Sequence, residues 1–125
     1  LVTNRAFAAW VGSNPEWLPE AAVAKKRADA GYLSGWSGNN PPPGQNSHPT
    51  VNVSGLAAFQ YCNGLGKSIP EATAAPTTWA EAPGKPSFEW RRKNNKLVLL
   101  DASGQVITNI KMSALNQLTA FRCTK

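Results

Sequence analysis

Proline and glycine set the terms for this chain. Ten of each stand among 125 residues. Proline lacks a backbone donor and glycine carries an entropic penalty inside regular structure. Helices and strands must therefore be short and loops many, which excludes a helical bundle. Apolar residues reach 42% and charged residues only 16%. That composition supports a buried core and fits neither a disordered tail nor a coiled coil. The length suits one domain, 1–125, and leaves no room for two cores. No purely apolar run in the sequence approaches the ~20 residues that a membrane-spanning helix needs.

Between the breakers the pattern predicts helix, loop, helix, loop, then strands. Thr3 or Asn4 can cap a first helix with Phe7, Trp10 and Val11 on one face. Gly12-Ser13-Asn14-Pro15 stops it. Trp17, Leu18, Tyr32 and Leu33 read as anchors, and Ala21 to Ala30 as a short helix. Residues 35–49, with three consecutive prolines, read as an ordered surface loop pinned by Trp36. Ser54 caps the clearest helix, on which Leu56, Phe59, Cys62 and Leu65 recur every third residue. Strands are predicted over Lys96–Leu100 and Gln105–Ile110, with Asp101-Ala102-Ser103-Gly104 as the hairpin turn. A last strand runs from Leu118 to Cys123. The order predicts an α+β fold, with two helices packed to one side of small antiparallel sheets.

The net charge is +6, concentrated at Lys25-Lys26-Arg27 and at Arg91-Arg92-Lys93 with Lys96 beyond. Nucleic-acid modules carry denser basic faces interleaved with aromatics, so nucleic acid is not the expected partner. The plain reading is two solvated basic loops; the sharper one is contact with an anionic partner.

Little in the sequence carries reactive chemistry. His48 is the sole histidine, and no cysteine or carboxylate clusters with it to hold a transition metal. The seven acids form no close pair and no calcium loop. A calcium site around Asn39 and Asn40 is the one cation reading the residues allow. No phosphate loop, dinucleotide fingerprint, zinc-protease motif or nucleophile elbow occurs. Cys62 lies on the apolar face of the Ser54 helix and Cys123 near the chain end, too far apart in sequence for a CxxC motif. They are either two independent buried thiols or one bridge. The small, loop-heavy build favours the bridge. Five tryptophans read first as loop anchors, and as a binding platform only second. Trp36, in its polar loop, fits the platform best.

Several motifs in order carry a resemblance. Val2-Thr3-Asn4, Phe7, Asn14-Pro15-Glu16-Trp17, Tyr32-Leu33 and Trp36 resemble the opening of the formylglycine-generating-enzyme-like (sulfatase-modifying factor) domain. His48-Pro49-Thr50-Val51-Asn52-Val53-Ser54 is similar to that family's entry to a helix. Leu56 to Lys67 is similar to the helix itself, with Ser68-Ile69-Pro70-Glu71 following it. Phe88-Glu89-Trp90 resembles a family strand, and Ala120-Phe121-Arg122-Cys123 its terminal motif. The resemblance implies a C-type-lectin-like fold and a Cys62–Cys123 bridge.

The departures from the family govern function. Its enzymes oxidise a target cysteine with a pair of cysteines in the C-terminal half, and here no cysteine besides Cys123 follows Cys62. Its sulfoxide synthases need three histidines at iron, and this chain has one. The glycine-rich family stretches are missing and the domain is shortened. The expectation is a non-catalytic module, with no catalytic residues and no cofactor, that binds a protein or glycan. The candidate surface comprises Trp36, Asn39, Asn40, His48, Trp79, Arg91, Arg92 and Asn94. Two alternatives stand beside it: an enzyme with diverged chemistry at His48 and a carboxylate, and a basic-surface binder of an anionic partner. The chain opens at Leu1 without Met or a signal pattern, which reads as a mature, trimmed or partial product. A bridge places it in the periplasm, outside the cell or on its surface. A missing leading strand would leave a sheet edge open to a second copy.

Overall fold

Capping side chains and prolines decide where the helices begin and end. The structure is a computed structural model and describes residues 1–72, 86–111 and 119–124. Helix α1 spans Asn4–Ser13. Thr3 caps it, its Oγ1 accepting from the Ala6 N–H at 3.3 Å. Phe7 and Val11, four residues apart, are buried. The helix stops at Asn14, because Pro15 disfavours helical backbone in the residue before it. A 3₁₀ turn, Pro15–Trp17, leads into α2, Pro19–Ala24. The helix expected over Ala21–Ala30 thus begins earlier and ends sooner. Pro19 sets its first turn, and Lys26 adopts a left-handed φ of 58° just beyond it.

Helix α3, Gly55–Gly64, is capped by Ser54, whose Oγ accepts from the Ala57 N–H at 3.1 Å. Its buried face is Gly55, Ala57, Ala58, Tyr61 and Cys62. The face read from the sequence is corrected in part: Cys62 is buried as expected, but Phe59 is 40% exposed and Leu65 54%. A three-residue spacing drifts around a helix of 3.6 residues per turn, whereas the observed set follows i, i+3, i+4, i+7. Gly55 lets the helix press onto the sheet. A Cβ there would lie 3.0 Å from Leu97 Cδ1 and 3.1 Å from Trp90 Cζ3.

The described residues form four strands: β1 Phe88–Lys93, β2 Lys96–Asp101, β3 Val106–Ile107 and β4 Thr119–Ala120. Their order is β3-β2-β1-β4. The α+β expectation holds: the described residues carry the two expected main helices and the short α2 beside them. The expected all-antiparallel sheet does not hold, since β4 runs parallel to β1. The chain end returns alongside β1 in the same direction, held by the bond from Cys123 to Cys62. Asn94 and Asn95, both left-handed at φ 52° and 63°, make the two-residue turn between β1 and β2. Asparagine tolerates that conformation, and such turns match strand twist. At the β2–β3 turn, Asp101 Oδ1 accepts from the Ser103 and Gln105 N–H groups, each at 2.9 Å. The strands expected over 105–110 and from Leu118 shorten to Val106–Ile107 and Thr119–Ala120, and Leu118 lies outside the described residues.

The main core gathers Phe7, Val11, Trp17, Tyr32, Leu33, Val53, Tyr61, Trp90, Leu99 and Phe121. Trp90 is fully buried and its Nε1–H donates to the Val53 carbonyl at 2.8 Å. The two ends of the described chain are tied in. The Val2 N–H donates to Phe121 O at 2.9 Å, and Ser68 and Thr124 exchange two backbone bonds. The Cys62–Cys123 disulfide joins α3 to the C-terminal segment with Cα atoms 5.4 Å apart. Among the described residues, no helix is long and apolar enough to cross a membrane.

Candidate functional site

Trp36 is the hinge of the first candidate surface. Its ring meets Phe7 edge-on at 6.2 Å, so one side is anchored in the core. The rest of the indole borders two clefts. One, of about 360 Å³, is lined by Asn4, Ser34, Gln45, His48 and Asn52 together with Trp36 and three apolar residues. The other, of about 550 Å³, is lined by Leu18, Pro19, Glu20, Ala21 and Gly38 with Trp36. The start of α1 holds the surrounding loop in place. Its first N–H groups, on Asn4 and Arg5, donate to the carbonyls of His48 at 2.9 Å and Asn46 at 3.0 Å. The buried Asn4 side chain donates to Gln45 O at 2.8 Å. These are donors that a helix start leaves unpaired, and here they pin residues 45–48. Beside the cleft, Leu33 and Asn52 take left-handed φ values of 50° and 59° and are joined by a 2.9 Å backbone bond. A leucine in that conformation stores strain of about 1 kcal/mol or more, held here by its burial.

Asn39 and Asn40 sit on the adjoining turn, where Ser37 and Asn40 exchange two backbone bonds. Both are exposed, and the Asn39 amide lies against Gly12. Among the described residues, no three histidine, cysteine or acidic side chains gather as a metal group. Among the described residues, no carboxylate lines the cleft that holds His48.

Arg92 and Asn94 belong to a different place. They line a groove of about 660 Å³ that shares no described residue with the Trp36 clefts. Its apolar members are Phe59, Leu97, Val98 and Ile110; Lys93, Lys96, Asn95, Thr108 and Asn109 complete it. Arg92 is partly engaged, with Nη2 3.1 Å from Glu71 Oε1 and Nε donating to Ile69 O at 3.2 Å.

Arg91 is not a surface residue, which corrects its place in the expected binding surface. It is 1% exposed, and its Nε donates to the fully buried Glu89. Its Nη1 donates to Glu71 O at 3.0 Å. Arg122 grips the same carboxylate with two bonds of 2.9 Å. Position along the strand explains the error. Glu89, Trp90 and Arg91 are buried, so both faces of β1 are covered at its base, and the strand opens only toward Arg92 and Lys93 at the hairpin tip. Trp79 lies outside the described residues. The sequence reading missed Phe59, Asn95, Lys96, Leu97 and Ile110 as groove residues. The Asn94-Asn95 pair between two strand-like runs was the available signal for the hairpin that builds the groove.

No protein-family model matches the chain, and neither does any curated protein or solved structure.

Proposed function

We propose that the chain is a non-catalytic binding module on a C-type-lectin-like scaffold of the formylglycine-generating-enzyme-like type, recognising a glycan or protein ligand through Trp36 and its loops. The motifs that carry the resemblance meet in space, which supports the scaffold. Glu89 of the strand motif is held by Arg122 of the terminal motif. Trp90 donates to Val53 of the helix-entry motif. Cys62 is bonded to Cys123. A disulfide of this kind fits an oxidising location, in the periplasm, at the cell surface or outside the cell.

The observation that carries the binding reading is Trp36 as the shared wall of two clefts. One side of its ring is fixed on Phe7, so little rotamer freedom is lost when a ligand covers the other. Amides, His48 and Glu20 around it supply hydrogen-bonding groups. A flat apolar face with polar groups at its margin suits a sugar ring or an apolar side chain equally. The test is a glycan and protein array probed with the wild-type chain and with Trp36→Ala. We expect hits that Trp36→Ala abolishes while its far-ultraviolet circular dichroism stays unchanged. Blank arrays, or hits that survive Trp36→Ala, would overturn the reading.

A further inference from the structure

We infer that the groove between α3 and the tip of the β1–β2 hairpin docks an extended acidic peptide segment carrying one apolar anchor. This goes beyond the Trp36 reading and does not depend on what fills those clefts. Strand β2 starts at Lys96, but β3 pairs only with Leu99 and Leu100. Beyond Ile107 the neighbouring chain turns off, with Asn109 at a φ of 61°. In the two-residue hairpin, Lys93 and Lys96 face each other as a bonded pair. Alternation then aims the backbone groups of Leu97 and Leu99 away from β1. Leu99 meets Ile107, while among the described residues no strand partner stands opposite Leu97. An extended segment can add there as a strand.

Side chains define what that segment must be. The groove offers Phe59, 40% exposed, with Leu97 and Ile110, which form a seat for an apolar side chain. Around the seat stand Arg92, Lys93 and Lys96, and among the described residues no carboxylate lines the groove. Arg92 is shared with Glu71, but among the described residues neither Lys93 nor Lys96 has an ion-pair partner. Charge complementarity therefore calls for carboxylates flanking the anchor. The amides of Asn94, Asn95 and Asn109 can bond to peptide groups, which a bare polyanion does not present.

The test uses the whole chain with its disulfide intact. Probes are a short acidic peptide with one central leucine, the same peptide with lysine in place of each acid, a heparin oligosaccharide and single-stranded DNA. Affinity is read by fluorescence anisotropy and location by amide shifts. The acidic peptide should bind with shifts at Phe59 and Lys93 to Val98. Lys93→Glu with Lys96→Glu should weaken it roughly tenfold or more, and Phe59→Ser severalfold. Trp36→Ala should leave it unchanged, which separates this groove from the Trp36 site. All four substituted side chains have solvent access, so the variants are expected to fold. The inference fails if the basic peptide binds as well, or if shifts fall elsewhere. It also fails if heparin or DNA binds these residues more tightly, or if sedimentation shows the groove closed by a second copy.

Discussion

At the base of the β1–β2 hairpin, Arg91 is sealed from water beside Glu89; at its tip, two strand positions onward, Lys93 stands exposed. The same basic run supplies both. The base uses charge to close the molecule, because a buried cation survives only with a partner that satisfies it. There one carboxylate accepts from two arginines and links β1 to the C-terminal segment. The tip carries its charges in water, where they contribute little to folding and stay available to a partner. A count of positive residues cannot tell these uses apart. Position along the strand can.

The largest expected effect lies at the base. Glu89→Ala leaves Arg91 buried without its carboxylate and should cost about 3–5 kcal/mol. Lys93→Ala and Lys96→Ala at the tip should each stay within about 0.5 kcal/mol. Urea unfolding of the three variants gives the answer directly. A Glu89→Ala penalty no greater than those at the tip would erase the contrast. Next comes the staple beside the base. The bridged residues are separated by 61 positions, and in the chain-entropy account reduction should cost about 4 kcal/mol. Unfolding with and without reductant measures it, and the Cys62→Ala, Cys123→Ala double variant should match the reduced protein.

Much of the frame is legible in the sequence, and the reasons are physical. Thr3 and Ser54 are residues that accept from helix N–H groups, and both cap helices where expected. The Asp101 turn shows itself through a side chain that folds back on its own backbone. The α3 face was misread because a three-residue spacing resembles a helical stripe over a short window, and tertiary packing chose the neighbouring stripe of small residues. Gly55 on that stripe allows close approach to Trp90, a preference that hydrophobicity alone does not reveal. The parallel β4 was not legible, since pairing direction depends on where the chain returns after leaving β3. For the candidate surface, Trp36 and His48 do share a cleft. Arg91 could not be separated from Arg92 without the register of β1 against its neighbours.

Two glycines of α3 sharpen the contrast between closed and open regions at smaller scale. Gly55→Ala pushes a methyl group toward Leu97 and the buried Trp90 ring, which has no room to yield. Overpacking outweighs the gain in helix propensity, and a net loss of about 1 kcal/mol is expected. At the other end of the helix, the atom nearest a Cβ on Gly64 would be Trp10 Nε1 at 3.9 Å. That is ordinary contact, so Gly64→Ala should stabilise by up to about 0.5–1 kcal/mol through propensity alone. Thermal melts of both variants compare the ends. Equal shifts would mean that α3 is not pressed onto the hairpin as described.

Asp101 tests the middle ground between base and tip: a solvent-accessible charge at the end of β2 that nevertheless holds structure. The hydroxyl of Ser103, followed by the N–H of Gln105, holds its carboxyl below the ordinary 3.8, because both donate to the ionised form. A folded-state value below the unfolded one has a definite consequence. The ionised group adds stability that is fully present above the ordinary carboxylate range and is lost as pH falls through the depressed value. The stability curve should therefore be flat with respect to Asp101 near neutrality and fall on acidification beneath 3.8. Asp101→Asn should be less stable at neutral pH, by a margin small beside those at the base and the staple, and should lose part of that acid-side slope. A carboxyl carbon titration by NMR reads the group itself, and urea unfolding across the acid range reads its effect. An Asp101 that titrates at the ordinary value would mean that the turn bonds do not favour its charge. The accessible charges of this sheet would then fall into one class with Lys93 and Lys96, and only burial would separate structural from available charge.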